Sequence, residues 1–228
     1  MYGLRKLKRG WILPAEYYNN VLYPLQDKVI PAFKDTPFYL TGGTALSRGY
    51  YNHRYSDDLD YFVNDHAEFR RIAEIQVVKL QKIFNDAETD YRGEHFYRIF
   101  VHQERLKIEL INDVPLHIGQ VANHPVLGII DSKENILANK LTAMVDRTLP
   151  KDIVDIYFLL KDGVSIKKAL TDAKSKAAGI SPLLIARIFA EFDYTIVDDG
   201  IKWATHVSSG AIKQYLSNLS LGIVEGKI

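Results

Sequence analysis

Hydrophobic residues follow two different spacings along this chain, and the change between them divides it into two parts. Short aromatic and aliphatic runs at residues 38–40 and 58–63, bounded by turn residues, predict two β-strands. Residues 44–51 between these strands predict a short helix. A longer helix is predicted next, because apolar residues recur at helical spacing. These residues are Phe69, Ala73, Leu80 and Phe84.

Residues 94–102 and 105–112 predict an antiparallel hairpin that turns tightly at Gln103-Glu104. Side chains alternate between the two faces of a strand. The second strand of the hairpin therefore places Lys107, Glu109 and Ile111 on one face, and Ile108 and Leu110 on the other. Prolines and glycines over residues 115–125 predict a loop with room for one short strand.

Beyond about residue 125 the spacing of apolar residues is that of helices. Ser132 is a predicted N-cap, followed by a stripe formed by Leu137, Leu141 and Met144, and Lys140 falls on a different face of that helix. Further helices are predicted over residues 151–160, 166–176, 182–192 and 209–219. The whole pattern predicts an α+β fold: a mixed β-sheet flanked by helices over residues 1–125, and a helical domain over residues 126–228.

Composition narrows the function classes without selecting one. The 228 residues are 47% hydrophobic and 25% charged, which is typical of globular proteins. The chain has no cysteine, so disulfides, thiolate metal sites and cysteine nucleophiles are excluded. A formal net charge of +1 offers no global argument for nucleic-acid or membrane binding. No apolar run is long enough for a signal peptide or a membrane span, so we expect a cytoplasmic protein without membrane contact.

Two short motifs carry the chemistry of the first part. Gly42-Gly43-Thr44 lies between the first strand and the short helix, where glycines allow a sharp turn and the backbone N–H groups can face a phosphate. Asp58 and Asp60 lie two residues apart in the second strand and therefore point to the same face. Two adjacent carboxylates repel each other unless a hard cation such as Mg²⁺ lies between them. Together the motifs indicate nucleotide chemistry.

The two motifs together resemble the signature of the polymerase-β-like nucleotidyltransferase superfamily. More narrowly, the residues from Gly42 to Leu46 and from Arg54 to Asp60 resemble the first motif of the AbiEii/AbiGii toxin family. Three later stretches resemble its other motifs in order: Lys107-Ile108-Glu109-Leu110, residues 139–143 and residues 152–159. The resemblance covers about residues 37–160, and it implies a nucleotidyltransferase-type sheet.

The resemblance implies a role for each acidic residue. Asp58 and Asp60 would bind Mg²⁺ or Mn²⁺, and Glu109 would complete the acidic cluster as a third metal ligand and could deprotonate or orient the attacking hydroxyl. Many superfamily members have Asp at the position of Glu109, so direct ligation and action through water both remain open. A solvated strand residue beside Lys107 is the alternative interpretation. Of the two aspartates on the later helix, Asp155 is preferred over Asp152 as the one that faces the active cleft.

The resemblance also implies how an NTP would be held. Gly42, Gly43 and Thr44 would bind the β- and γ-phosphates through backbone N–H groups and a hydroxyl, and Arg54 and Ser56 would steady the loop or the triphosphate. A plain turn with a helix cap is the alternative for the glycine motif. Lys140 would contact the triphosphate, and a solvated surface lysine is the alternative for it.

The predicted activity is Mg²⁺-dependent transfer of a nucleoside monophosphate from an NTP to a hydroxyl group of a tRNA or a protein. The family resemblance implies a toxin of a toxin–antitoxin or phage-defence system, with a cognate antitoxin as partner. Two other hypotheses remain open: a nucleotidyltransferase that acts on a small molecule, and a catalytically inactive NTP-binding module. The presence of Asp58, Asp60 and Glu109 argues against the inactive module.

Overall fold

The computed structural model describes residues 5–7, 10–12, 14–101 and 105–228. The chain divides into two compact units, of which one ends at Asp131 and the other begins at Ser132. The division into domains 1–125 and 126–228 stays a prediction. The predicted turn at Gln103-Glu104 lies outside the described residues.

A mixed β-sheet forms the centre of the first unit. The strands of this unit are β1 (Arg5–Leu7), β2 (Gly10–Ile12), β3 (Tyr39–Thr41), β4 (Leu59–Asn64), β5 (Glu88–Arg92), β6 (Phe96–Val101), β7 (Leu106–Asp113), β8 (Ala122–His124) and β9 (Gly128–Ile130). β1 and β2 pair as a separate hairpin, and the described strands of the main sheet follow the order β5-β6-β7-β4-β3-β9-β8. β4 runs parallel to β7 and antiparallel to β3, whereas β3 runs parallel to β9.

The helices of the first unit cover the sheet and connect its strands. They are α1 (Pro14–Tyr17), α2 (Tyr23–Val29), α3 (Gly42–Leu46) and α4 (Phe69–Ile83), with a π-helical turn at Tyr18–Leu22, a 3₁₀ turn at Ile30–Phe33 and a π-helical turn at Ser47–Tyr51. The short helix predicted over residues 44–51 therefore begins two residues earlier, at Gly42. The stripe predicted on α4 is buried, as Phe69, Ala73 and Leu80 show.

Alternation along β4 and β7 separates a buried face of the sheet from a half-buried one. Leu59 and Tyr61 on β4, and Ile108 and Leu110 on β7, are buried on one face. The residues between them, among them Glu109, are half-buried on the other face. The predicted division of faces in β7 is confirmed. It brings polar side chains together on a single face of the sheet.

The second unit is helical. Its described helices are α5 (Lys133–Asp146), α6 (Pro150–Lys161), α7 (Ile166–Lys176), α8 (Pro182–Glu191), α9 (Thr195–Gly200) and α10 (Ser209–Val224). Ser132 caps α5 as predicted, because its hydroxyl accepts a 3.0 Å hydrogen bond from the Asn135 amide. Leu137, Leu141 and Met144 are buried in the core of this unit. The predicted α+β fold, a mixed sheet flanked by helices and followed by helices, is confirmed.

Two further findings complete the fold. β5 was not predicted, because its sequence Glu-Thr-Asp-Tyr-Arg is polar and its side chains are mostly exposed at the edge of the sheet. No helix within the described part of the chain has both the length and the apolar character needed to cross a membrane.

Candidate active site

A row of polar side chains crosses the half-buried face of the sheet. Strand pairing places Thr41 opposite Asp60 between β3 and β4, and Asp60 opposite Glu109 between β4 and β7. Arg98 on β6 is opposite Glu109 on the other side. Asp58 lies just before β4, two residues from Asp60. The sheet thus brings together Asp58, Asp60 and Glu109, the three residues predicted to form the acidic cluster.

Two basic side chains contact the carboxylates of this row. Lys107 Nζ lies 3.3 Å from Asp58 Oδ2 and 3.0 Å from Glu109 Oε2. Arg98 donates from Nε to Glu109 Oε1 at 2.8 Å. Both oxygens of Glu109 therefore contact a cation, and one ammonium group bridges Glu109 and Asp58.

These cations keep Glu109 ionised. Burial alone would raise the pKa of Glu109, but hydrogen bonds from Lys107 and Arg98 outweigh it and lower the pKa below its ordinary value. Burial would also lower the pKa of Lys107. The charges of Asp58 and Glu109, with a smaller effect from Asp60, reverse this and raise the pKa. Lys107 and Glu109 therefore form an ion pair on this face of the sheet.

The glycine turn lies directly against the carboxylates. Gly42 has a φ of +67°, and a methyl group at this position would lie only 2.7 Å from Asp60 Oδ2. A methyl group at Gly43 would lie 2.6 Å from Arg54 Nη2 and 2.9 Å from Ser56 Oγ. Only glycine permits this close approach of the turn to Asp60.

The other residues predicted to hold phosphate are largely buried. The hydroxyl of Thr44 donates to the main-chain oxygen of Asp58, so it fixes the acidic segment to the glycine turn. Arg54 is buried and donates from Nη1 to the Tyr55 carbonyl at 3.0 Å. Thr44 and Arg54 therefore shape the turn, and its backbone N–H groups are the part best suited to a phosphate.

A buried glutamine, which the sequence analysis did not single out, supports the segment before β4. Gln26 on α2 donates from Nε2 to the carbonyl oxygens of Ser56 and Asp57, at 3.2 and 3.1 Å. Arg48 in turn donates to Gln26 Oε1 at 2.9 Å. α2 thereby fixes the backbone that carries Asp58.

The carboxylates fit a divalent cation in part. No group of three or more acidic or histidine side chains in the described chain has an arrangement that could hold a metal ion. Asp58 and Asp60 alone match the one or two carboxylates through which Mg²⁺ is usually bound in nucleotide sites, where phosphates and water supply the other ligands. The role of Glu109 as a third ligand stays a prediction, and both of its oxygens contact cations.

Lys140 lies within the helical unit and is buried, with 9% of the residue exposed. Its ammonium group contacts Asp152 Oδ1 at 2.6 Å and Asp155 Oδ2 at 2.7 Å. The alternative interpretation of Lys140 as a solvated lysine is therefore wrong. Position 140 follows Leu137 by three residues, so its side chain lies at the border of the buried stripe, where α5 packs against α6. Asp152 and Asp155 both hold it.

A buried acidic residue, Asp131, was missed by the sequence analysis. It directly follows β9 and is 0% exposed. Asp131 Oδ2 accepts a hydrogen bond from the Thr41 hydroxyl, and Oδ1 lies 2.9 Å from His117 Nε2. The sequence does contain an indication of this residue. Asp131 is an acidic residue directly after the largely apolar run at residues 127–130, which has the length of a short strand.

Known structures share this fold. JHP933 from Helicobacter pylori has a TM-score of 0.63 at 19% identity, over 90% of this chain and 91% of that chain. MenT4, a nucleotidyltransferase toxin from Mycobacterium tuberculosis H37Rv, has a TM-score of 0.54 at 15% identity, over 92% and 85% of the two chains. The fold is therefore one that nucleotidyltransferases adopt.

Sequence comparison gives the family. The model of the family described as "Nucleotidyl transferase AbiEii toxin, Type IV TA system" matches residues 25–199. The chain belongs to this family of nucleotidyltransferases. An uncharacterized protein of Aquifex aeolicus (strain VF5), aq_aa25, is 26% identical over 204 residues, which are 84% of this chain and 94% of that protein.

Proposed function

We propose that this nucleotidyltransferase moves a nucleoside monophosphate from an NTP to a hydroxyl group of a tRNA or protein, and releases pyrophosphate. We propose further that it acts as a toxin controlled by a cognate antitoxin, as its family membership suggests. The observation that carries the proposal is the close approach of Gly42 to Asp60. A phosphate held by the glycine turn would lie beside the carboxylates that bind its metal.

Asp58 and Asp60 are proposed to hold Mg²⁺ or Mn²⁺. The bound ion would neutralise negative charge on the triphosphate during phosphoryl transfer. Glu109, kept ionised by Lys107 and Arg98, is proposed to accept a hydrogen bond from the attacking hydroxyl and to orient it. Its position opposite Asp60 supports this role.

The remaining residues are proposed to bind the NTP. Backbone N–H groups of Gly42, Gly43 and Thr44 would hold the β- and γ-phosphates, with Arg54 and Ser56 as supports for the turn. Lys140 is also proposed as a triphosphate contact. Asp155, which holds the ammonium group of Lys140 at 2.7 Å, would fix its position.

Incubation of the protein with each α-³²P-labelled NTP, Mg²⁺ and bulk tRNA tests the proposal. We expect label transfer to tRNA, or to protein in a lysate, with one preferred NTP. Asp58→Asn and Asp60→Asn should each abolish transfer, whereas Asp199→Asn, a change at an exposed aspartate of α9, should not.

The same assay separates the other hypotheses. Label transfer only to small molecules would replace the macromolecular acceptor by a small one. NTP binding without transfer to any acceptor would favour an inactive binding module. Full activity in Asp58→Asn would refute the metal assignment.

A further inference from the structure

Asp131 is fully buried, and none of the roles proposed above involves it. Its main-chain N–H donates to the Leu40 carbonyl at 2.9 Å and extends the parallel pairing of β3 and β9. Its main-chain oxygen accepts from the Tyr50 hydroxyl at 2.7 Å. Its carboxylate contacts Thr41 and His117. Both main-chain polar groups and both carboxylate oxygens are thus engaged.

One of these contacts fixes the start of the glycine segment, which we define as residues 41–50. Thr41 occupies the N-cap position of α3, where a threonine hydroxyl commonly accepts a hydrogen bond from an amide of the first turn. Thr41 makes no such capping bond, and its hydroxyl donates to Asp131. The backbone N–H groups proposed to bind phosphate are therefore not capped by this side chain.

A second contact fixes the end of the same segment. Tyr50 lies in the π-helical turn Ser47–Tyr51, nine residues beyond Thr41. Its hydroxyl reaches the main-chain oxygen of Asp131. One residue outside the glycine segment therefore ties both ends of it to β9.

A third contact engages the remaining oxygen of the Asp131 carboxyl group. A carboxyl group without exposure to water needs charged or hydrogen-bonding partners. His117 Nε2 supplies one at 2.9 Å, and the His117 ring also packs edge-on against Tyr39 with centroids 5.1 Å apart. His117 thus comes from a different loop to hold the second oxygen of Asp131.

We propose that Asp131 is the positioning residue of the glycine segment, acting through the hydroxyl groups of Thr41 and Tyr50. It holds the segment beside Asp60, where the glycine turn is proposed to bind the NTP. The expected effect of Asp131 on NTP affinity rests on the proposed function. Its expected effect on the order of the glycine segment does not.

Thr41→Val tests this proposal, because it removes one hydroxyl and keeps the shape of the side chain. We expect amide hydrogen exchange of residues 42–51 to become about 10-fold faster, which corresponds to the loss of one buried hydrogen bond. The affinity for the best of four α,β-methylene NTP analogues should fall by a similar factor, about 10-fold. Thr41→Ser, which keeps the hydroxyl, should restore both values.

Thr36→Val is the matched control. The Thr36 hydroxyl donates to the Phe33 carbonyl at 2.6 Å in the same unit, outside the glycine segment. We expect it to leave exchange of residues 42–51 and analogue affinity unchanged, even if it lowers the melting temperature as much as Thr41→Val does. Equal effects of the two variants, or unchanged exchange in Thr41→Val, would overturn the proposal. If the unaltered protein binds no analogue, the proposed function fails, and the exchange measurement still decides the role of Asp131.

Discussion

Asp60 lies directly opposite Glu109 in the parallel pairing of β4 and β7, so the two carboxylates are neighbours on the same face of the sheet. Like charges that face each other across a strand pair are unfavourable. The structure balances them with Lys107 and Arg98 from the same face, which contact Glu109 on both oxygens. The cluster therefore carries its own counter-charges, and its properties depend on the basic residues as much as on the acidic ones.

Gly42→Ala should abolish NTP binding. The φ of +67° costs an alanine about 1 kcal/mol, and its methyl group would also lie 2.7 Å from Asp60 Oδ2. Gly163→Ala is the control, because Gly163 has a φ of +92° but no atom within 4 Å of an added methyl group. Urea unfolding and analogue titration should show a loss of stability in both variants and a loss of affinity only in Gly42→Ala. Equal affinities of Gly42→Ala and Gly163→Ala for the NTP analogue would contradict this prediction.

Lys107→Met should tighten the binding of Mn²⁺ in the absence of nucleotide by about 10-fold, because it removes an ammonium group that contacts Asp58. Mn²⁺ affinity can be measured by electron paramagnetic resonance. Lys34→Met, a change at an exposed lysine of the same unit, is the control. Weaker or unchanged Mn²⁺ binding in Lys107→Met would mean that this lysine does not compete with the metal.

Glu109→Gln should make stability less sensitive to acid. Hydrogen bonds and charge from Lys107 and Arg98 outweigh burial and lower the pKa of Glu109 below its ordinary 4.5. A carboxyl group whose pKa is lowered in the folded state makes its full contribution to the free energy of unfolding above pH 4.5. This contribution is lost as the pH falls through the pKa of the folded state. Urea unfolding between pH 7 and pH 3 should therefore show a smaller decrease for Glu109→Gln than for the unaltered protein.

The exposed Glu94 provides the control for this experiment, since its side chain is 82% exposed. Glu94→Gln should follow the pH dependence of the unaltered protein. A Glu109→Gln profile that is also unchanged would show that Glu109 is not stabilised by the two cations.

Lys140→Met should destabilise the helical unit by about 3–5 kcal/mol, because two buried aspartates lose their common cation. Lys133→Met on the same helix breaks a 2.6 Å pair with Asp162 that is partly exposed. It should cost only about 0–1 kcal/mol. Urea unfolding of both variants makes the comparison, and equal losses would contradict the assigned burial of the Lys140 pair.

The local pattern of residues was sufficient to predict much of the fold. Strand alternation assigned Ile108 and Leu110 to the buried face, and helical spacing assigned Leu137 and Leu141 to the core, because both patterns are properties of a single element. The Ser132 cap was predictable for the same reason. β5 was not, since a polar edge strand has no apolar pattern.

The candidate site depended on contacts between elements. The sequence by itself determined that Asp60 and Glu109 are acidic residues on strands, that Asp58 lies two residues before Asp60, and that Gly42 permits a turn. Only the tertiary structure decided that Lys107 bridges Asp58 and Glu109, and that Lys140 is buried between two aspartates. Strand order and helix packing bring together residues far apart in the chain, such as Thr41 and Asp131. No local period encodes these pairings, because they form only when apolar burial packs separate elements together, and the polar groups buried there then need partners.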